Sequence, residues 1–181
     1  MTQVWPRLNL AICTLALIFL SGCATTPEEN LRMAAAEGNL LRVETFLGQG
    51  ISAQAADVRG VTPLFLAAKY GHRDVVALLL ERGAAMNPIR QDGVTPIFIA
   101  AQEGQRQVVA LLLRHGEDAN AHAQISDVTL LHIAAYRGDQ ELITLLLQHG
   151  ASKQARMTSG ERPVDLAQAQ GHTALIPLLE P

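Results

Sequence analysis

Apolar positions along this chain fall into two kinds of pattern. Residues 8–20 form one short, nearly continuous apolar run, broken by Asn9 and Thr14. From residue 28 onward the pattern changes to brief apolar blocks separated by glycines and polar turns. The blocks recur. Residues 60–71 read GVTPLFLAAKYG, 93–104 GVTPIFIAAQEG, 127–138 DVTLLHIAAYRG and 160–171 GERPVDLAQAQG. Each of the first three is followed by a second block, VVALLLERG, VVALLLRHG or LITLLLQHG. Gly38, Gly71, Gly104, Gly138 and Gly171 are spaced by 33, 33, 34 and 33 residues. Gly50, Gly83, Gly116 and Gly150 keep the same period. Two glycine columns in one register mark an internal repeat.

Local chemistry predicts two helices per repeat. Thr62 and Thr95 are placed to cap a helix by accepting a first-turn N–H, and Pro63 and Pro96 then occupy the first helical position, where a missing donor is harmless. The pairs Ala67-Ala68, Ala100-Ala101 and Ala134-Ala135 allow close helix approach. The first glycine column ends the first helix, because a left-handed terminal residue suits glycine. The Leu78-Leu79-Leu80 triplet and its copies bury the second helix, and the other column ends it. A polar turn of about ten residues then leads to the next unit.

This pattern resembles the ankyrin repeat, G-x-T-P-L-H-x-A-A-x-x-G followed by I-V-x-x-L-L-x-x-G-A, over nearly the whole chain after residue 28. The resemblance implies an all-α solenoid of helix-turn-helix units with β-hairpin-like fingers. About five units are expected, near 28–56, 57–89, 90–123, 124–156 and 157–181. A single unit leaves its apolar face uncovered, so the units must stack, and the end units should be atypical. The first is expected to lack the Thr-Pro turn and carries Arg32; the last has Asp165, Gln168 and a proline, Pro177, in its second helix. The family's bridging histidine survives only as His132, with Phe65, Phe98 and Asp165 at the equivalent positions. One extra residue enlarges the finger at 121–126.

The N-terminal run is too short for a membrane-spanning helix, which needs about 20 apolar residues. With Arg7 before it and small residues after it, it reads as a secretory signal. Leu20-Ser21-Gly22-Cys23 resembles the lipobox of bacterial lipoproteins. That resemblance implies a signal peptide over 1–22, lipid attached to Cys23, and a tether over 23–27. An ordinary signal cut after Ala24 and an uncleaved anchor are the alternatives. In that family an Asp after the cysteine retains the protein at the inner membrane; Ala24 stands here, which points to the outer membrane. The expected location is the bacterial cell envelope, facing the periplasm. Both cysteines, Cys13 and Cys23, precede the repeats, so an oxidising compartment poses no hazard to them.

Charge and candidate chemistry change little. The formal charge is −3, with no basic stripe, so no nucleic-acid partner is expected. His115 and His149 share a helix-end column, and His122 lies in the enlarged finger within reach of Asp118. No catalytic motif occurs, and no enzyme activity, metal, cofactor or small-molecule substrate is expected. What the resemblance implies is protein binding by finger tips and first helices. Carried over by position, that face comprises Val58, Arg59, Val61, Lys69 and Tyr70; Gln91, Asp92, Val94, Gln102 and Glu103; and Ile125, Ser126, Val128, Tyr136 and Arg137. The Val61, Val94 and Val128 column either belongs to it or packs between fingers. The charges on the face are mixed. The expected function is a monomeric, lipid-anchored module that binds a partner enzyme and regulates or neutralises it, an immunity-type inhibitor of a toxic effector being one candidate. The alternatives are an accessory factor for an envelope or oxidative-stress enzyme and a structural envelope scaffold.

Overall fold

The computed structural model describes residues 25–87, 90, 93–123 and 126–180. It is an all-α repeat solenoid. Helices come in antiparallel pairs: α1 (Pro27–Ala36) with α2 (Leu40–Gly48), α3 (Pro63–Tyr70) with α4 (Arg73–Glu81), and α5 (Pro96–Glu103) with α6 (Arg106–Arg114). The fourth pair is α7 (Leu130–Arg137) with α8 (Gln140–Gln148). The fifth is α9 (Pro163–Ala169) followed by a 3-10 turn (Thr173–Leu175) and the short α10 (Ile176–Leu179).

First helices stack on first helices, α1 on α3, α3 on α5, α5 on α7 and α7 on α9. Second helices form a parallel row, α2, α4, α6 and α8. The small-residue column sits at the first seam: Ala34, Ala35, Ala67, Ala68, Ala100, Ala101, Ala134, Ala135 and Ala167 are all fully buried. Leu79, Leu112, Leu146 and Leu179 form the matching column of the second row, each at most 1% exposed. A leucine buried this way contributes about 1.5–3 kcal/mol, but only while the neighbouring unit covers it. Stability therefore belongs to the stack rather than to any one pair.

Caps follow the local sequence with one exception. Thr62 Oγ1 accepts from the Phe65 N–H at 3.2 Å and Thr129 Oγ1 from the His132 N–H at 3.4 Å. Thr95 makes no such bond, contrary to expectation. Gly71, Gly104 and Gly138 end their helices at φ between 71° and 79°, the left-handed region that a side chain would strain.

The end units differ from expectation in instructive ways. The first unit does carry a Thr-Pro turn, displaced by three residues. Thr26 accepts from the Glu29 N–H at 3.1 Å and Pro27 opens α1, which runs to 10 residues against 8 in α3. A shift of three residues is close to one helical turn, so the capping chemistry is kept and the helix is lengthened. In the last unit Pro177 does more than limit the second helix. Lacking an N–H, it closes no bond to the preceding turn, and the chain enters α10 through a 3-10 turn instead.

The enlarged finger is built around a non-glycine residue in the left-handed region, Asp127 at φ 53°. Gly60, Gly93 and Gly160 occupy the same repeat position at φ 82°, 70° and 100°. In unit two the Asp57 N–H reaches Val61 O across four residues; here the Ala123 N–H reaches Val128 O across five. Thr158 of the next finger holds this one, its N–H donating to Ser126 O at 3.0 Å and its hydroxyl to Asp127 Oδ2 at 3.1 Å.

Candidate protein-binding surface

Side chains that cross from one unit to the next fix the face. His132 is fully buried. Its Nδ1 accepts from the Thr129 N–H at 3.1 Å, which leaves Nε2–H to donate to Glu161 O of the following unit, also at 3.1 Å. Burial pushes its pKa below the usual histidine value. Asp165 repeats half of this arrangement, accepting from the Arg162 N–H at 2.8 Å. The Arg162 guanidinium beside it holds the Asp165 carboxyl below the usual range. Phe65 and Phe98 have no polar atom to offer and are buried instead, at 5% and 7% exposure.

A second set of staples runs along the ends of the first helices, and its uniformity is not apparent from residue type. His72 Nε2 lies 2.9 Å from Ala36 O, Gln105 Nε2 donates to Lys69 O at 3.3 Å, and His172 Nε2 lies 3.2 Å from Tyr136 O. In the fourth unit the matching residue is Asp139, which caps α8 through the Leu142 N–H and pairs with Arg106. Arg137 takes over the staple there, donating to Gln102 O. Each of these side chains fills the space that a Cβ would need on Gly38, Gly71, Gly138 or Gly104. Arg137, expected on the binding face, donates to the neighbouring unit and also lines a groove between units four and five.

The other expected face residues separate clearly. Tyr70 is 50% exposed and Tyr136 55%, and Val58 at a finger tip is almost wholly exposed. Gln102 and Glu103 are exposed and Lys69 half-buried, its ammonium 5.4 Å from the Tyr70 ring centre. Arg59 is exposed and lies 3.5 Å from Asp57. Val61 is 8% exposed, whereas Val94 and Val128 are partly buried; all three line grooves between fingers and first helices. Ser126 spends its carbonyl on Thr158. Gln91, Asp92, Ile125 and Cys23 lie outside the described residues.

Two grooves run between fingers and first helices. One, of about 410 Å³, lies between units two and three; its lining includes Arg59, Phe65, Lys69, Tyr70, Arg90 and Val94. The other, of about 400 Å³, lies between units four and five; its lining includes Val128, His132, Ile133, Tyr136, Arg137 and Met157. Gln102 lines both. Arg90 was not foreseen as a face residue. Its guanidinium carbon sits 3.9 Å from the Phe65 ring centre, a cation–π contact at the position where this unit has phenylalanine in place of histidine.

His115 and His122 make local contacts. His115 Nδ1 lies 2.9 Å from Leu111 O, at the end of α6. His122 approaches Asp127, at 3.9 Å, rather than the expected Asp118. Among the described residues no group of three or more His, Cys, Asp or Glu side chains is placed to hold a metal ion.

The family profile described as ankyrin repeats (3 copies) matches residues 31–123 and again 110–180. A curated ankyrin repeat-containing protein of Schizosaccharomyces pombe is 45% identical over 63 residues. That stretch covers 35% of this chain and 30% of the yeast protein, so the likeness extends to the repeats and not to the whole of either protein. The matched profile spans the helical pairs from α1 to α10, and on that basis the chain belongs to the ankyrin-repeat family, whose repeats form protein-binding modules.

Proposed function

We propose that this protein is a lipid-anchored, periplasm-facing module that binds a partner enzyme and regulates or neutralises it. The observation that carries the binding half is the exposure of Tyr70 and Tyr136 on first helices whose other large apolar residues are mostly buried or half-buried. A half-exposed tyrosine on a rigid element presents broad amphipathic area with little conformational freedom to lose, which is why such residues anchor interfaces. The anchor half rests on the apolar run at 8–20 and on Leu20-Ser21-Gly22-Cys23. No helix among the described residues is long and apolar enough to cross a membrane, and in this reading attachment runs through Cys23. Two or three acyl chains would hold the protein stably, since each buried CH₂ contributes about 0.8 kcal/mol. Ala24 after the cysteine favours the outer membrane in this reading.

The two halves are tested separately. Radiolabelled palmitate should mark the wild-type chain and leave Cys23→Ser unlabelled and detached from membranes; a labelled Cys23→Ser chain ends the anchor reading. A pull-down from envelope extract should yield a specific partner that Tyr70→Ala/Tyr136→Ala no longer retains. Arg137 is kept intact in this variant because it staples two units. A folded double variant that still captures the partner removes the face. Adding the chain to the captured enzyme then separates roles: an immunity-type inhibitor abolishes its activity, whereas an accessory factor leaves it intact or prolongs it.

A further inference from the structure

The two ends of the stack are not alike. End repeats of a solenoid stay soluble by turning a polar face outward. The last unit does so: Leu175 and Leu179 are buried, Ile176 and Leu178 half-buried, and Gln168, Thr173 and Glu180 exposed. The first unit does so in part, with Arg42 where Val75, Val108 and Leu142 are buried in later units. Yet it also exposes Met33 at 43%, Leu40 at 42% and Leu41 at 74%, on either side of the turn between α1 and α2. The positions of Leu40 and Leu41 are exposed in every later unit and are occupied there by Arg73-Asp74, Arg106-Gln107, Gln140-Glu141 and Thr173-Ala174. Two adjacent leucines at positions that the other units leave to water mark a contact surface.

Charge around these leucines is settled locally. Glu37 and Arg42 lie 2.7 Å apart, Glu44 and Arg82 3.7 Å, and Arg32 donates to Ala55 O at 3.3 Å. Glu28 and Glu29 are exposed in the first turn of α1. This end of the stack therefore offers apolar surface without an excess of positive charge.

We infer that the first unit is a membrane-docking cap, which seats Leu40, Leu41 and Met33 at the headgroup boundary of a zwitterionic bilayer. The inference rests on the anchor reading above and adds an orientation to it. Chain length is what favours lipid as the occupant. Pro27 follows Cys23 by four residues, which span at most about 14 Å when fully extended. Helix α1, of 10 residues, adds about 15 Å from its start to the turn that carries the leucines. An acylated Cys23 thus holds this end of the stack at the bilayer, where apolar side chains settle about 5–10 Å into the headgroup and acyl boundary. The acyl chains supply attachment and the leucines supply direction. Unit four then lies three helix-to-helix steps away, about 24–30 Å at 8–10 Å per step, clear of the headgroups.

Tryptophan fluorescence tests this. Trp5 is the sole tryptophan of the chain, so in a Trp5→Phe background one introduced tryptophan reports its own surroundings. The full-length gene is expressed, and the palmitate-labelled product is reconstituted into phosphatidylcholine and phosphatidylethanolamine vesicles with or without acyl-brominated lipid. Emission of Leu41→Trp should shift to the blue and be quenched about two-fold or more by the brominated lipid. Glu141→Trp, at the same repeat position in unit four, should be neither shifted nor quenched. Met33→Trp should be quenched as well, and adding Leu40→Gln/Leu41→Gln should abolish that quenching while palmitate incorporation persists. Anionic lipid should add nothing to the quenching.

A palmitate-labelled Leu41→Trp chain that is not quenched would overturn the docking cap and leave the anchor standing. A blue shift without quenching, accompanied by sedimentation as a dimer, would overturn it by giving the surface to a second copy of the chain. Equal quenching of Leu41→Trp and Glu141→Trp would overturn it by laying the stack on its side, and quenching that requires anionic lipid would overturn its apolar basis. A wild-type chain that takes up no palmitate would sink the anchor reading and this inference together.

Discussion

The imidazole of His72 occupies the space that a side chain on Gly38 would need. Its Nε2 lies 2.9 Å from Ala36 O, and an ideal Cβ on Gly38 would fall 2.7 Å from its Cε1. The glycine column is thus demanded twice, by a φ of 71° and by a neighbour from the next unit. Gly50 has a similar φ of 86° but nothing within 4 Å of its Cβ position. Gly50→Ala should therefore destabilise by about 1–2 kcal/mol, the strain of a left-handed alanine alone. Gly38→Ala should destabilise by roughly 1 kcal/mol more, because overpacking adds to strain. Urea midpoints of the two variants check this, and His72→Ala should recover part of the excess in Gly38→Ala but none in Gly50→Ala.

Thr62 and Thr95 hold the same position in successive repeats, yet only Thr62 makes a capping bond. Thr62→Ala should destabilise by about 1 kcal/mol and Thr95→Ala by clearly less. Equal losses in thermal or chemical denaturation would mean that both caps form in solution.

His132 provides the pH prediction. Burial lowers its pKa in the folded chain, so the folded protein keeps it neutral while the unfolded chain takes up a proton near the ordinary value of 6.5. Its contribution is fully present above that pH and is lost progressively as pH falls from there toward the depressed folded value. His132→Phe copies Phe65 and Phe98 and removes the titration. The stability difference between wild type and His132→Phe, measured from pH 7.5 down to pH 5, should move in favour of the variant as acid is added. A constant difference would show that His132 is not held neutral.

Val58 and Val61 belong to the same finger but face opposite environments, 92% and 8% exposed. Val58→Asp should leave stability within about 0.5 kcal/mol, as exposed substitutions do. Val61→Asp places a carboxylate among packed groups and should destabilise by several kcal/mol. Comparable melting temperatures for the two would contradict the packed reading of Val61.

Arg137 has a staple role that residue type does not reveal. As an arginine at a first-helix end, it has the composition of an interface anchor. Its role as a staple depends on Asp139 two residues later, which is occupied by the α8 cap and by Arg106, and on space left open by Gly104. Arg90 errs in the other direction: it sits in a finger with no motif to mark it, and its place over the Phe65 ring becomes visible in the folded chain. The displaced Thr26-Pro27 cap could have been found in the chain, since both residues are present; alignment on Gly38 alone hid it.

The repeat, the helix pairs and the all-α class are legible in residue order alone. Those follow from interactions within a few residues: a threonine or proline opening a helix, a glycine closing it, and apolar positions recurring every turn. Tertiary structure alone decided which exposed positions are available to a partner. Whether Val61 is covered, Arg137 is occupied, or Arg59, Lys69 and Arg90 share one groove depends on side chains some 30 residues apart being brought together by the stacking of units. That distance effect leaves no local signature, because each such side chain has the same neighbours in the chain whether it faces solvent or the next repeat.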